Sequence, residues 1–502
     1  MTVKQKQAVH NLIAYALNTQ LITADDLDYV YNKLFYYMGY TGTKRNVVEP
    51  AFTRSDLESL LAPLLNDAKD KQLYDATSPT ARERFAVQIM DVFMPHPSTL
   101  QMRFEALHEK NPRHATDDFY QRAVHSRYIR TDLNACNEQF DTHSTYGTLK
   151  VTINLGKPEK DPRDIAKAAK QESNRYPACL LCKEHVGHDG TPNQPPRANH
   201  RIIRVSLGNE PFYLQYSPYA YYDEHAIVLH EQHIPMHIND QTYVRLFDFV
   251  DAFPHYFIGS NADLPIVGGS MLSHEHYQGG LAQFPIEAAK TLQTQSHKDV
   301  TYERLHWPIS TVKITGTNRA AIIEAANKLR LFWEQTHIPS LDIVPTTGTI
   351  RHNAITLVVR KIDNLYHVYT MLRNNITTQS RPEGRFHAHP SRHGIKKENI
   401  GLIEAMGWAI LPGRLAEDLQ KLVIHLRNPV QPLPDTLSRY QDFIHHLSTQ
   451  PQPKAVDLNW LKQQVGLVFA QVLEDCAVFP QTKTGQQAFQ SWMEAYYDKH
   501  KL

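Results

Sequence analysis

Cysteine is scarce in this chain, with four in 502 residues, too few for a disulfide framework. An excess of either charge is also missing. With 53 basic against 52 acidic side chains, no global field draws the protein to nucleic acid or to an anionic membrane, so any phosphate must be recognised locally. No segment approaches the roughly 18 consecutive apolar residues that a bilayer span requires. The opening "MTVKQKQAVHNLIAYALNTQ" breaks every apolar run with polar side chains, unlike a secretory leader. The expectation is a cytoplasmic protein with neither a nucleic-acid nor a membrane partner. What is present, 41% hydrophobic and 10% aromatic residues, suffices for a large core and more than one domain.

The first hundred or so residues read as helix. Val9, Leu12, Ile13, Ala16 and Leu17 keep the spacing of a buried helical stripe, and Ser78-Pro79 is an N-cap followed by proline at the first helical position. From about residue 145 the period shortens. "TLKVTINL", "RIIRVSL", "PFYLQY", "EHAIVL" and "HYFIGS" are short β-branched and aromatic runs between Pro, Gly and Asn clusters, as strands are. Helical patterns are expected over "DQTYVRLFDFVDAF", near "IEAAKTLQTQS" and over "NRAAIIEAANKLRLFWEQ". A hairpin is expected to turn at Asp363-Asn364. After about residue 398 helix returns. The expected fold class is α+β, with a helical region over 1–145, a sheet-rich half over 146–310 and a second α+β half with a helical C-terminus over 311–502. Apart from two H-x-H elements, no internal repeat is visible.

The chemistry concentrates in two places. Cys179 and Cys182 form a C-x-x-C, the spacing that lets two thiolates reach one tetrahedral ion. A redox pair would need a thioredoxin-like strand-to-helix unit that the pattern does not provide. A metal needs two further ligands, and His230, His233 and His237 after "AIVL", together with His274, are the candidates. With 28 histidines in the chain, a single histidine means little and only the set carries weight. The second place is "VGGSMLSHEHYQGG". In an extended strand His274, His276 and Gln278 share one face. A neutral imidazole at His276 can attack phosphorus, and the Gln278 amide can donate to a phosphate oxygen as charge builds. The glycine pairs on either side, Gly268-Gly269 before Ser270 and Gly279-Gly280, allow backbone to approach a phosphate.

"SHEHYQ" is similar to the H-P-H-P/G-Q motif of the galactose-1-phosphate uridylyltransferases, within the histidine-triad superfamily. The order of C-x-x-C, "LHEQH", "SNADLPIVGGSM", H-x-H-x-Q and then "FHAH" before "ENIGLIEAMGWAILPGRL" resembles the longer bacterial class of that family over essentially the whole chain. The resemblance implies a histidine-triad-like antiparallel sheet core with flanking helices, and a nucleotidyl transfer from UDP-glucose to galactose 1-phosphate through a uridylyl-histidine, by a ping-pong route in galactose metabolism. It implies His276 as nucleophile, Gln278 on the transferred phosphoryl group, and Cys179, Cys182, His233 and His274 as a zinc set. Asn261, Gly269 and Ser270 would contact nucleotide phosphates, Ser270 lying one residue farther from the H-x-H than in the family. Lys396 or Lys397 would meet the hexose phosphate. His352, His387 and His389 would hold a second metal, iron or zinc, with Glu287 at the wrong distance to match the fourth ligand. No organic cofactor is implied, and a homodimer is. The motif's prolines are replaced here by Glu275 and Tyr277. Three other readings stay open: a histidine-triad dinucleoside polyphosphate hydrolase or phosphorylase, a metal-dependent hydrolase, and a non-catalytic zinc-stabilised binding protein.

Overall fold

The N-terminal periodicity produces the expected helices. In the computed structural model, which describes residues 2–40, 57–156, 176–191, 194–269, 271–428, 432–451, 453 and 455–502, α1 (Val3–Asn18), α2 (Leu27–Tyr37), α3 (Leu57–Asp70) and α4 (Pro79–Asp91) bury their apolar stripes against one another. The Ser78 hydroxyl caps α4 by accepting from the Ala81 amide, with Pro79 in the first turn. α5 (Pro97–His108) and α6 (Pro112–His125) belong instead to the core beneath the main sheet.

Arg127 fastens the N-terminal helices to that core. It is 3% exposed, and its guanidinium donates to Glu58 on α3 and to Glu83 on α4, the latter at 2.7 and 3.0 Å. Arg127→Met is expected to cost about 1–2 kcal/mol in urea unfolding, because it removes the bonds of a buried guanidinium to both carboxylates and leaves them to Arg130, 3.6 Å from Glu58 and 3.2 Å from Glu83.

Fifteen strands follow among the described residues. A hairpin of β1 (Glu138–Ser144) and β2 (Gly147–Asn154) forms a small sheet with β15 (Trp408–Pro412). The main sheet has ten strands. Its first half comprises β3 (Ile203–Leu207), β4 (Glu210–Tyr216), β5 (Ala226–His230), β6 (Phe257–Ser260) and β7 (His276–Gly280). Its second half comprises β8 (Thr291–His297), β9 (Val300–Leu305), β10 (Thr311–Gly316), β13 (Asn353–Ile362) and β14 (Leu365–Asn374). A two-residue pair, β11 (Thr346–Thr347) and β12 (Ile350–Arg351), stands apart. The order is β3-β4-β5-β7-β6-β13-β14-β10-β9-β8, and every pairing in it is antiparallel. The class is thus α+β, as expected.

The two halves repeat one plan. Each runs as a three-stranded meander, a helix, and then a hairpin whose second strand inserts beside the meander. The helices are α7 (Asp240–Ala252) and α8 (Arg319–Glu334), which cover the same face of the sheet. This duplication is invisible as sequence similarity, and it divides the chain between β7 and β8, N-terminal to residue 310. The hairpin turn stands where expected, with Asp363 and Asn364 both at positive φ, 47° and 65°, as a two-residue type I′ loop requires. One expectation fails. "IEAAKTLQTQS" is not a helix but a short 3-10 turn (Pro285–Ala288) running into β8. Its two alanines suggest helix locally, whereas pairing along β9 decides the outcome.

The other face of the sheet is covered by the small sheet and by C-terminal helices, α9 (Arg414–Arg427), α10 (Gln441–Ser448) and α11 (Leu458–Asp475). A last helix, α12 (Lys483–His500), packs into the first core. Among the described residues no helix is long and apolar enough to cross a membrane.

Candidate active site

β7 lies between β5 and β6, with Leu229 opposite His276 and Gln278 opposite both Ile227 and Gly259. Tyr277 enters the core under α7, so His276 and Gln278 face the opposite side of the sheet. His276 is 6% exposed. Its Nδ1 lies 2.8 Å from the His274 carbonyl oxygen. A carbonyl only accepts, so the proton sits on Nδ1 and the Nε2 lone pair is free. Burial pushes this imidazole down to about 4, which keeps it uncharged near neutrality.

His225, just ahead of β5, is a residue that the motif gave no reason to select. Its Nε2 donates to Gln278 Oε1 at 3.3 Å, and burial pushes it down to about 4. With its oxygen engaged, Gln278 has its NH2 left to donate to an incoming group. Asn261 follows β6, and its Oδ1 accepts from the Leu402 amide at 2.8 Å. A Cβ on Gly269 would lie 2.7 Å from Asn261 Nδ2, so glycine there lets the two segments close. Ile400, two residues before Leu402, is held by the buried Arg373, which donates to its carbonyl at 3.1 Å. Downstream, Gly279 and Gly280 serve the packing of the chain on itself. Their α-carbons face the carbonyls of Phe257 and Glu224 so closely that a Cβ would lie at 2.6 and 2.2 Å. Ser270 lies outside the described residues.

The metal candidates from the first half converge. Cys179, Cys182, His233 and His274 place their ligand atoms within 4.8 Å of one another. Cys179 Sγ is 3.5 Å from Cys182 Sγ and 3.4 Å from His274 Nδ1, while Cys182 Sγ is 3.3 Å from His233 Nδ1 and 3.7 Å from His274 Nδ1. Bonds of about 2.3 Å to sulfur and about 2.0 Å to nitrogen imply a tetrahedron with edges of roughly 3.3–3.8 Å, so the donor set fits such an ion. His274 Nε2 donates to the His230 carbonyl at 2.8 Å, which leaves Nδ1 as the ligand atom. His230 contributes its backbone here, and its ring lies by Gln232. His237 is drawn to Asp263.

The other candidates do not converge. Among the described residues no second metal-sized group forms. His352 is held by Asn375 and Thr347, His387 by Asn399 and His389 by Ser391, while Glu287 pairs with Arg360. Replacing His352, His387 and His389 together by alanine is expected to leave the metal content per chain unchanged, as measured by plasma emission. Of the two lysines, Lys396 is buried and bonded to Glu404 at 3.0 Å, whereas Lys397 is exposed beside Glu383 at 3.5 Å.

The duplication shows which positions of the second half correspond to His276 and Gln278. An axis through the Gly259–Val358 pair superimposes Gln278 on Tyr369 and His276 on His367. The second half has no glutamine two residues after its histidine. Arg360 there donates to the Ala282 carbonyl, laying the segment after β7 across that position.

Comparison with known proteins places the chain in a family. The family profile described as galactose-1-phosphate uridyl transferase, N-terminal domain, matches residues 43–235, and that of the C-terminal domain matches residues 249–434. Galactose-1-phosphate uridylyltransferase of Bacillus subtilis is 41% identical over 97% of this chain and 96% of its own. Those of Clostridium perfringens and Fusobacterium nucleatum are 41% and 38% identical, each over 96% of this chain and 97% of their own. The chain therefore belongs to the galactose-1-phosphate uridyl transferase family.

Proposed function

We propose that the protein moves a uridylyl group from UDP-glucose to galactose 1-phosphate, giving glucose 1-phosphate and UDP-galactose by way of a uridylyl-His276. The observation that carries this reading is the tautomer of His276. Nδ1–H is spent on the His274 carbonyl, and the remaining nitrogen is an uncharged nucleophile.

His276 Nε2 attacks the α-phosphorus. The P–N bond forms as the bond to the bridging oxygen breaks, and glucose 1-phosphate leaves with the electron pair. Nδ1–H stays on the ring, and its bond to the carbonyl stabilises the cationic adduct, so no proton has to move. A phosphate oxygen of galactose 1-phosphate then attacks the same phosphorus and restores the free imidazole. Both nucleophiles are ready near neutral pH, and no general base is needed. Gln278, oriented by His225, donates to a non-bridging oxygen, where charge builds in each transition state. Asn261 and Gly269 would line the approach of the phosphates, and the exposed Lys397, beside Glu383, would meet a hexose phosphate.

Cys179, Cys182, His233 and His274 would hold zinc, whose soft and borderline ligands they supply. There it would serve as a structural clamp on the segment that leads into β7.

Intact mass after mixing with UDP-glucose alone tests the reading. The expected result is a gain of one uridylyl group that galactose 1-phosphate discharges. Release of UMP without any adduct would favour a hydrolase of the same superfamily.

A further inference from the structure

The strand that carries His276 has a second face. Glu275 and Tyr277 alternate with the site residues and point beneath α7, at 5% and 1% exposure. From α7, Arg245, itself 6% exposed, donates through Nη1 to Glu275 Oε1 at 2.7 Å and to the Tyr277 hydroxyl at 3.3 Å. The Tyr277 hydroxyl in turn donates to Glu275 Oε1 at 2.8 Å. The other arm of Arg245 reaches Glu210 on β4. Its guanidinium lies over the Phe212 ring at 5.4 Å, and Tyr277 stacks on the same ring at 5.7 Å.

Ion pairs buried this deeply contribute little net stability, since apolar side chains of equal volume hold a core as well or better. What they provide is register. A displacement of β7 that separates Glu275 from Arg245 leaves a carboxylate unpaired in the core, which is costly, and a slip of one residue exchanges the two faces outright. The backbone of Glu275 is gripped as well, its N–H donating to Ile234 O at 2.7 Å and its C=O accepting from His230 N at 2.9 Å. Glu275 is thus clamped through side chain and main chain, directly between His274 and His276.

We infer that Arg245, Glu275 and Tyr277 form a positioning network that holds β7 from behind, so that His276 Nε2 stays aimed at the reacting phosphorus. The inference rests on the reading of His276 as nucleophile. These residues touch no substrate, and they act through the strand. Misplacement of a reacting atom by about 1 Å can cost ~100-fold in rate, so a loosened network registers in the chemical step.

The test uses Glu275→Gln and Tyr277→Phe in the full-length, metal-loaded protein. Glu275→Gln keeps shape and removes charge, whereas Tyr277→Phe keeps the ring on Phe212 and carries the test if the first variant does not fold. Rapid-quench measurement of adduct formation from saturating UDP-glucose is expected to slow by about 10-fold or more in Glu275→Gln and about 3-fold in Tyr277→Phe. KM is expected within roughly threefold of wild type, with metal content unchanged. The ring nitrogen shifts of His276 are expected to show a second tautomer. A lowered melting temperature with wild-type adduct rate and a single tautomer would overturn the proposal and leave the network a purely structural one. Should the wild-type protein form no adduct, the function reading fails by itself, and the tautomer populations still decide for or against the network.

Discussion

A His276→Ala protein mixed with UDP-glucose is expected to gain no mass, and its rate of UDP-galactose formation to fall by at least ~10⁴-fold. No neighbouring imidazole replaces the missing one. His274 turns Nδ1 to the cysteines and Nε2 to the His230 carbonyl, and His225 is bonded to Gln278. His367, the counterpart in the duplicated half, is pushed down to about 4 by burial, with Lys313 and then Arg360 adding to the effect, but it has no glutamine partner. A His367→Ala control is accordingly expected to transfer within about twofold of wild type. Steady-state assay of UDP-galactose alongside intact mass checks both, and an adduct surviving in His276→Ala would move the nucleophile elsewhere.

Loss of the metal group has the second largest effect. Cys182 is 5% exposed and lies against Cys179, His233 and His274. Cys182→Ala is expected to abolish tight metal binding and to lower stability by roughly 3 kcal/mol or more, because an ion bound only by the folded chain stabilises it by mass action. Transfer activity is expected to fall with it, since His274 would both ligate the ion and supply the carbonyl that holds His276. Of the four candidate ligands His233 is the exposed one, beside a cleft of about 530 Å³ lined also by Tyr176, Lys183 and Glu231. A chelator can enter from that side, and prolonged EDTA treatment is expected to reproduce the thermal and kinetic losses of the variant. Full activity and an unshifted melting curve in a metal-free sample would refute the clamp.

Much of the candidate site was legible because it is local. The spacing of His274, His276 and Gln278 shows on its own that they share a face, and C-x-x-C shows that two thiols can meet one ion. His225 was not legible. It stands just ahead of an ordinary-looking strand, and only the pairing of β5 with β7 brings it to Gln278. Arg245 was hidden for the same reason, lying on a helix that reads as a plain amphipathic one. The strand β8 was misread because its neighbour β9, not its own composition, decides its conformation. The second-metal histidines illustrate the converse. They form a recognisable pattern in the chain, and each is taken up by a local polar partner.

By itself, then, the sequence determined which elements form where apolar spacing is strong, and which residues are candidates for nucleophile and ligand chemistry. These follow from short-range geometry, where side-chain direction repeats every 3.6 or 2 residues. Only the tertiary structure decided that Cys179 meets His274 across 95 residues, that two unlike sequences build one duplicated sheet, and that Glu275 and Tyr277 are anchored by Arg245. Such contacts depend on long-range strand order and on helix packing over the sheet, and those are settled by the burial of the whole apolar surface at once.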